Sequence, residues 1–162
     1  MKPPIGKVLL FLSTDSGDPS DCISWAEEAL HNGFDSPSLR ILAGLDKPLN
    51  SFEVNEYTTR ALHELNIKIP SESEAVDEYA SELVLLIIDH PERMRDVLKL
   101  LSDLAISTEF QDNIFDYYLL NGAYEDLDIK DVQYYWEGAN KKNIEQIVLD
   151  RCKSWIEEYN KN

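Results

Sequence analysis

Histidines, cysteines and paired carboxylates are the residues of this 162-residue chain with the means to do chemistry. A helical di-iron centre needs two Glu-x-x-His motifs and two further Glu residues. Glu28-Ala-Leu-His31 supplies one motif, but His63 and His90 have Arg60 and Ile87 where the acid should be. His31, two residues before Gly33, instead suits the negative end of a helix. Cys22 and Cys152 match no zinc or redox spacing, and no Gly-x-Ser-x-Gly elbow is present. His63 beside Glu64 reads as part of a solvated face. Ser16-Gly17-Asp18 lacks the glycines and the lysine of a phosphate loop. Asp126-Leu-Asp128-Ile-Lys-Asp131 lacks the ligand alternation, central Gly and terminal Glu of a calcium loop. The pairs Asp112/Asp116 and Glu125/Asp126 could serve acid–base work, yet 31 acids produce such pairs by chance. No catalytic residue, cofactor or metal ligand is assigned.

The other concentration of chemistry is aromatic. Half of the sixteen aromatic residues fall between Phe110 and Trp136: Phe110, Phe115, Tyr117, Tyr118, Tyr124, Tyr134, Tyr135 and Trp136. Among them lie Asp112, Asp116, Glu125, Asp126, Asp128 and Asp131, with Glu109 and Glu137 at the flanks and Lys130 as the one base. Tyr and Trp offer large contact area with few rotatable bonds, so they dominate interaction hot spots. Interleaved with carboxylates, they suit a surface that receives a basic partner.

These residues need a scaffold, and composition says which kind. With 43% hydrophobic residues, six Gly and seven Pro, the chain is expected to fold as one globular domain over residues 1–162. Its formal charge of −16 is spread along its length, a field that repels nucleic acid and anionic membranes. Unpaired cysteines fit a reducing cytoplasm. Val8–Leu12 and Leu83–Ile88 are far short of the about 20 residues that span a bilayer. Asp15 and Asp18 follow the first run where a leader would carry small residues.

Helical spacing dominates. Asp18-Pro19 starts a helix carrying Cys22, Trp25, Ala26, Ala29 and Leu30, which Gly33 closes. Ser36-Pro37 starts a short one, whose turn from Gly33 resembles a helix-turn-helix corner but has only Arg40 and Lys47 as bases. Ser51 is the expected cap for the stripe Val54, Tyr57, Thr58, Ala61, Leu62 and Leu65. Ser71 and Glu74 form a capping box before Val76, Tyr79, Ala80, Leu83, Val84 and Ile87. The run Leu83–Ile88 is apolar all round and is expected to be the most buried part of the chain. Asp89-His90-Pro91 breaks before Met94, Val97, Leu98, Leu101 and Ala105. A second box at Thr108/Gln111 opens a helix ended by Asn121-Gly122, and Asp128 caps a short helix through Trp136. A last stripe runs from Ile144 to Tyr159. Lys7–Ser13 fits a strand or a helix. The sum is all-α: seven to nine packed helices with short loops.

The function expected is a non-enzymatic acidic binding module for a basic protein, extending to a bacterial immunity-type inhibitor of a cationic toxin. Ile114, Tyr118, Tyr135 and Trp136 are expected to face the core. Tyr117, Tyr124 and Tyr134, with Asp112, Asp116, Glu125 and Asp126, are the expected partner-binding residues. A small helical enzyme or ligand-binding protein with a carboxylate- and tyrosine-lined pocket is the alternative.

Overall fold

The computed structural model describes residues 3–14 and 17–162. Among them are eight α-helices and no strand, as the helical spacing predicts. The helices are α1 (Gly6–Ser13), α2 (Pro19–His31), α3 (Pro37–Ala43), α4 (Ser51–Glu64), α5 (Glu72–Asp89), α6 (Met94–Ser107), α7 (Phe115–Ile129) and α8 (Ile144–Tyr159). Lys7–Ser13 is thus helical, and a 3₁₀ turn, Pro91–Arg93, precedes α6. Asp15 and Ser16, on which the leader and phosphate-loop readings rest in part, lie outside the described residues. No helix among the described residues is long and apolar enough to cross a membrane.

The chain divides into two compact units, Met1–Tyr79 and Ala80–Asn162. In the first, α2 packs on α1, α3 and α4. Val8, Leu9, Cys22, Trp25, Ala26, Leu39, Leu42, Val54 and Leu62 belong to its buried apolar cluster. Local chemistry sets where its helices begin. The Asp18 carboxylate accepts from the Ser20 N–H at 2.9 Å, and the Ser36 hydroxyl from the Leu39 N–H at 3.2 Å, each with Pro at the first helical position. Asn50, not Ser51, caps α4, because its amide oxygen reaches the N–H groups of both Phe52 and Glu53. The box at Ser71 and Glu74 forms as expected. Glu64, near the end of α4, accepts from the Ser38 hydroxyl and N–H at 2.7 and 3.0 Å, which ties α4 to the start of α3.

In the second unit α7 packs on α6 and α8. Val84 and Ile87 of α5, Val97, Leu98 and Leu101 of α6, Leu120 and Ala123 of α7, and Val148 and Cys152 of α8 are buried. Two expectations about α5 and α7 are corrected. Leu83–Ile88 is not buried all round: Leu85 is exposed, and Leu86 and Ile88 are half-buried. Asn121-Gly122 does not end a helix, since α7 runs through both to Ile129. Both cysteines are buried and free, one in each unit.

Candidate protein-docking surface

The outer surface of the second unit begins where α6 ends. Thr108 is no N-cap: its hydroxyl turns back to the Leu104 and Ala105 carbonyls. The Glu109 N–H then donates to the Ile106 carbonyl at 3.2 Å and the Phe110 N–H to the Ala105 carbonyl at 2.7 Å, the paired bonds of a Schellman ending. Such an ending needs a left-handed residue after the cap, and Gly usually supplies it. Here Glu109 takes φ +54° and Phe110 follows at +63°. The turn carries the Phe110 ring onto Phe115 and Tyr118, edge-on to both, with centroids 5.7 and 5.1 Å away. Thr108 closes α6 and α7 begins only at Phe115, so Thr108 and Gln111 open no helix, and the Gln111 amide donates to the Asn113 side chain at 2.8 Å.

Along α7 two apolar stripes run on opposite faces. Tyr117, Leu120, Tyr124 and Leu127 recur every three or four residues and are buried. Phe115, Tyr118, Gly122, Glu125 and Ile129 recur with the same spacing, displaced by roughly half a turn, and each is exposed or half-buried. Gly122 is a glycine for a packing reason. A methyl group there would lie 2.9 Å from three atoms of the Tyr135 ring, so the loop after α7 folds back onto the helix at this point.

Asp128 caps no helix, because residues 130–143 form an ordered loop held by side chains. Gln133 accepts from the Tyr135 and Trp136 N–H groups at 2.8 Å and donates to the Trp136 and Ala139 carbonyls. Asn140 and Asn143 accept from each other's N–H groups at 3.2 and 2.7 Å, and Asn143 also donates to Gly138. Lys141 pairs with Asp131 at 2.8 Å and holds that carboxyl below its usual range, through hydrogen bonding and then charge. Out of this clamped loop project Tyr134, 90% exposed, and the exposed Val132, and Ile129 at the end of α7 is 85% exposed. Asp131, Gln133, Tyr134, Trp136 and Glu137 border a shallow depression in it.

The expected site residues therefore separate. Tyr117 is fully buried, and its hydroxyl makes no regular hydrogen bond. Burial pushes its pKa far up, with the Cys152 thiol as its polar neighbour. Tyr124, 9% exposed, is also a packing residue. Its hydroxyl donates to Glu145 at 2.8 Å, and the Arg95 guanidinium lies 4.3 Å from its ring centre while paired with both oxygens of Asp128. Burial, and then the bond to Glu145, push the Tyr124 pKa up to about 12. The expectation that Tyr117 and Tyr124 lie on the surface is thus corrected: they sit on the inward stripe. Asp116 is held by Arg151 at 2.8 Å, and Asp126 lies 3.8 Å from Lys130. Asp112, Glu125 and Tyr134 remain exposed. Ile114 is buried as expected, Tyr118 and Trp136 are half-buried, and Tyr135 is exposed rather than in the core.

Phe110, Phe115, Ile129, Val132 and Tyr135 are surface residues that spacing toward a single core face passed over. The second stripe and its mid-helix glycine were the signals available. Glu109, Asp112, Glu125 and Glu137, all exposed, make no ion pair among the described residues. Chemistry of other kinds finds less support: Glu28 and His31 are exposed, and among the described residues no three His, Cys, Asp or Glu side chains are placed to hold a metal ion. Compared with protein-family models, with curated proteins and with solved structures, the chain matches none.

Proposed function

We propose that the chain is a non-enzymatic binding module whose C-terminal unit docks a cationic protein. Tyr134 carries the proposal: a large aromatic side chain 90% exposed on a loop whose backbone is clamped by Gln133, Asn140 and Asn143. Exposed apolar area held in a fixed geometry loses little entropy on binding. The unit's carboxylates without an ion pair among the described residues, Glu137 in the same loop and Glu109, Asp112 and Glu125 before and along α7, steer a positive partner and repel a negative one. A basic toxin whose active site holds phosphates has the matching field, which makes this an immunity-type inhibitor.

The test is capture from the native host at low salt. A basic protein should be retained, its association rate should fall as salt rises, and Tyr134→Ala or Ile129→Ala should weaken its retention. Retention of an acidic partner, or retention by both variants equal to that of the unaltered chain, overturns the proposal.

A further inference from the structure

Resting on that docking role, we infer that the element received by α7 is a cationic amphipathic helix. Phe115, Tyr118, Gly122, Glu125 and Ile129 follow the alternating three-and-four spacing of a coiled-coil seam over a helix of 15 residues, and at Gly122 the Tyr135 ring covers the helix and supplies the seam's surface. At 1.5 Å per residue the stripe is about 22 Å long. A helix backbone is saturated along its length and offers no edge to an extended strand. The partner must bring a satisfied backbone of its own, and a helix laid at a shallow angle crosses over the Tyr135 ring and sets its side chains against Phe115 and Tyr118 at one end and Ile129 at the other.

The stripe also specifies charge. Glu125 interrupts it at a seam position, exposed and without an ion pair among the described residues. Buried against a partner it demands a Lys or Arg opposite, because an unpaired carboxylate in an interface is costly. Asp112 and Glu109 lie toward one end of the seam, and Glu137 lies in the loop beyond the other. A second copy of this chain fails that requirement, since each copy carries −16 and its own stripe holds no Lys or Arg to face Glu125. The aromatic end, Phe110 with Phe115 and Tyr118, and the far end, Ile129, then receive the apolar residues of the incoming helix.

The probe is a peptide of about 18 residues, with Leu at seam positions except the one facing Glu125, which is Lys, and Lys elsewhere, long enough to cover the stripe. Its partner in the experiment is a scrambled isomer of the same composition and charge. Titrated into the full chain, the amphipathic peptide should bind at least about tenfold more tightly than the isomer. It should turn helical on binding. Glu125→Lys and Ile129→Ser should each weaken it, and Phe52→Ser, on α4, should not. All three positions are exposed, and circular dichroism checks that each variant is folded. Equal affinity for the two peptides overturns the helix inference and leaves a cationic docking surface standing. Binding unaffected by Glu125→Lys overturns the seam. If neither peptide binds while the native capture succeeds, the inference fails alone; if both experiments fail, the docking role falls with it. Self-association that is abolished by Ile129→Ser also overturns the inference, in favour of a second copy.

Discussion

The two units carry the same charge and opposite surfaces. Residues 1–79 hold 14 acids and 6 bases, residues 80–162 hold 17 and 9, so each has a net charge of −8. Their interiors match as well. Each buries one free cysteine, and each leaves one aromatic polar atom buried without a hydrogen bond, Trp25 Nε1 in the first and Tyr117 Oη in the second. Outside they differ. The first unit exposes one aromatic side chain, Phe52, whereas the second exposes Phe110, Phe115, Tyr134 and Tyr135. Charge therefore does not locate the site. What sets the second unit apart is the number of exposed aromatic side chains, since Phe52 too stands next to an exposed carboxylate, Glu53, without an ion pair among the described residues.

The largest effect tests the likeness of the interiors. Burial pushes both thiols, Cys22 and Cys152, from about 9 up to about 11. A raised acid favours its neutral form in the folded state, so that stability is fully present below pH 9 and lost as pH rises through 11. A rise of this size corresponds to about 3 kcal/mol for each thiol. Chemical denaturation between pH 8 and 11 should show this loss, and Cys22→Ala and Cys152→Ala should each flatten the slope by a similar share. A slope that responds to one variant alone breaks the equivalence. At higher pH the Tyr124 hydroxyl, pushed up to about 12, adds a further decline that Tyr124→Phe removes.

Next comes the difference between the surfaces. Phe52, 88% exposed, is as bare as Tyr134. If exposed aromatic area alone attracted the partner, truncating either should matter equally. Tyr134→Ala is expected to cost about 2 kcal/mol of binding, roughly thirtyfold, as hot-spot residues do. Phe52→Ala should leave the affinity unchanged. Calorimetry with the captured partner measures both, and equal losses would move the site off α7.

The contrast also explains what could be read from the sequence. Helix starts at Asp18, Ser36 and Ser71 were legible because a cap is a contact between residues two or three apart. The all-α class followed from spacing, which survives at every helix. Gly122 misled because its reason is Tyr135, thirteen residues on in sequence, and no local pattern encodes that ring. Tyr117 and Tyr124 misled for another reason. A helix apolar on two faces has two candidate core stripes, and spacing alone does not say which one turns inward. Tyr117 and Tyr124 belong to the inward stripe and Phe115 and Ile129 to the outer one, whereas Glu125 on the outer stripe and Tyr134 in the loop are exposed as expected.

Gly122→Ala sharpens this further. An interior helical Gly normally gains up to about 1 kcal/mol on conversion to Ala. Here the methyl group meets the exposed Tyr135 ring, which can swing aside, so net stability should change by less than about 1 kcal/mol. Binding should fall more than stability does, because the ring forms part of the seam. Tyr135 resonances that do not move in the variant would show that the ring is not seated there.

The smallest effect concerns three helix ends of one geometry. Gly33, Asn66 and Glu109 occupy the left-handed position after α2, α4 and α6, with φ of +87°, +56° and +54°. Each is followed by a residue whose N–H reaches back into the last turn: Phe34 to Ala29, Ile67 to Leu62, and Phe110 to Ala105. Gly takes this conformation without strain and Asn with little, whereas a longer side chain costs about 1 kcal/mol or more. The two ends in the first unit therefore carry residues suited to the turn, and the one beside the aromatic cluster carries a strained residue. Glu109→Gly should stabilise the fold by a few tenths to about 1 kcal/mol, the relief offset by glycine's greater freedom when unfolded. Gly33→Ala should lose about as much. If Glu109→Gly gains stability and weakens the partner, the strained residue is retained for its carboxylate at the seam. If it gains stability and leaves binding intact, the carboxylate at 109 has no part in docking, and the strain serves only to bring Phe110 onto Phe115 and Tyr118.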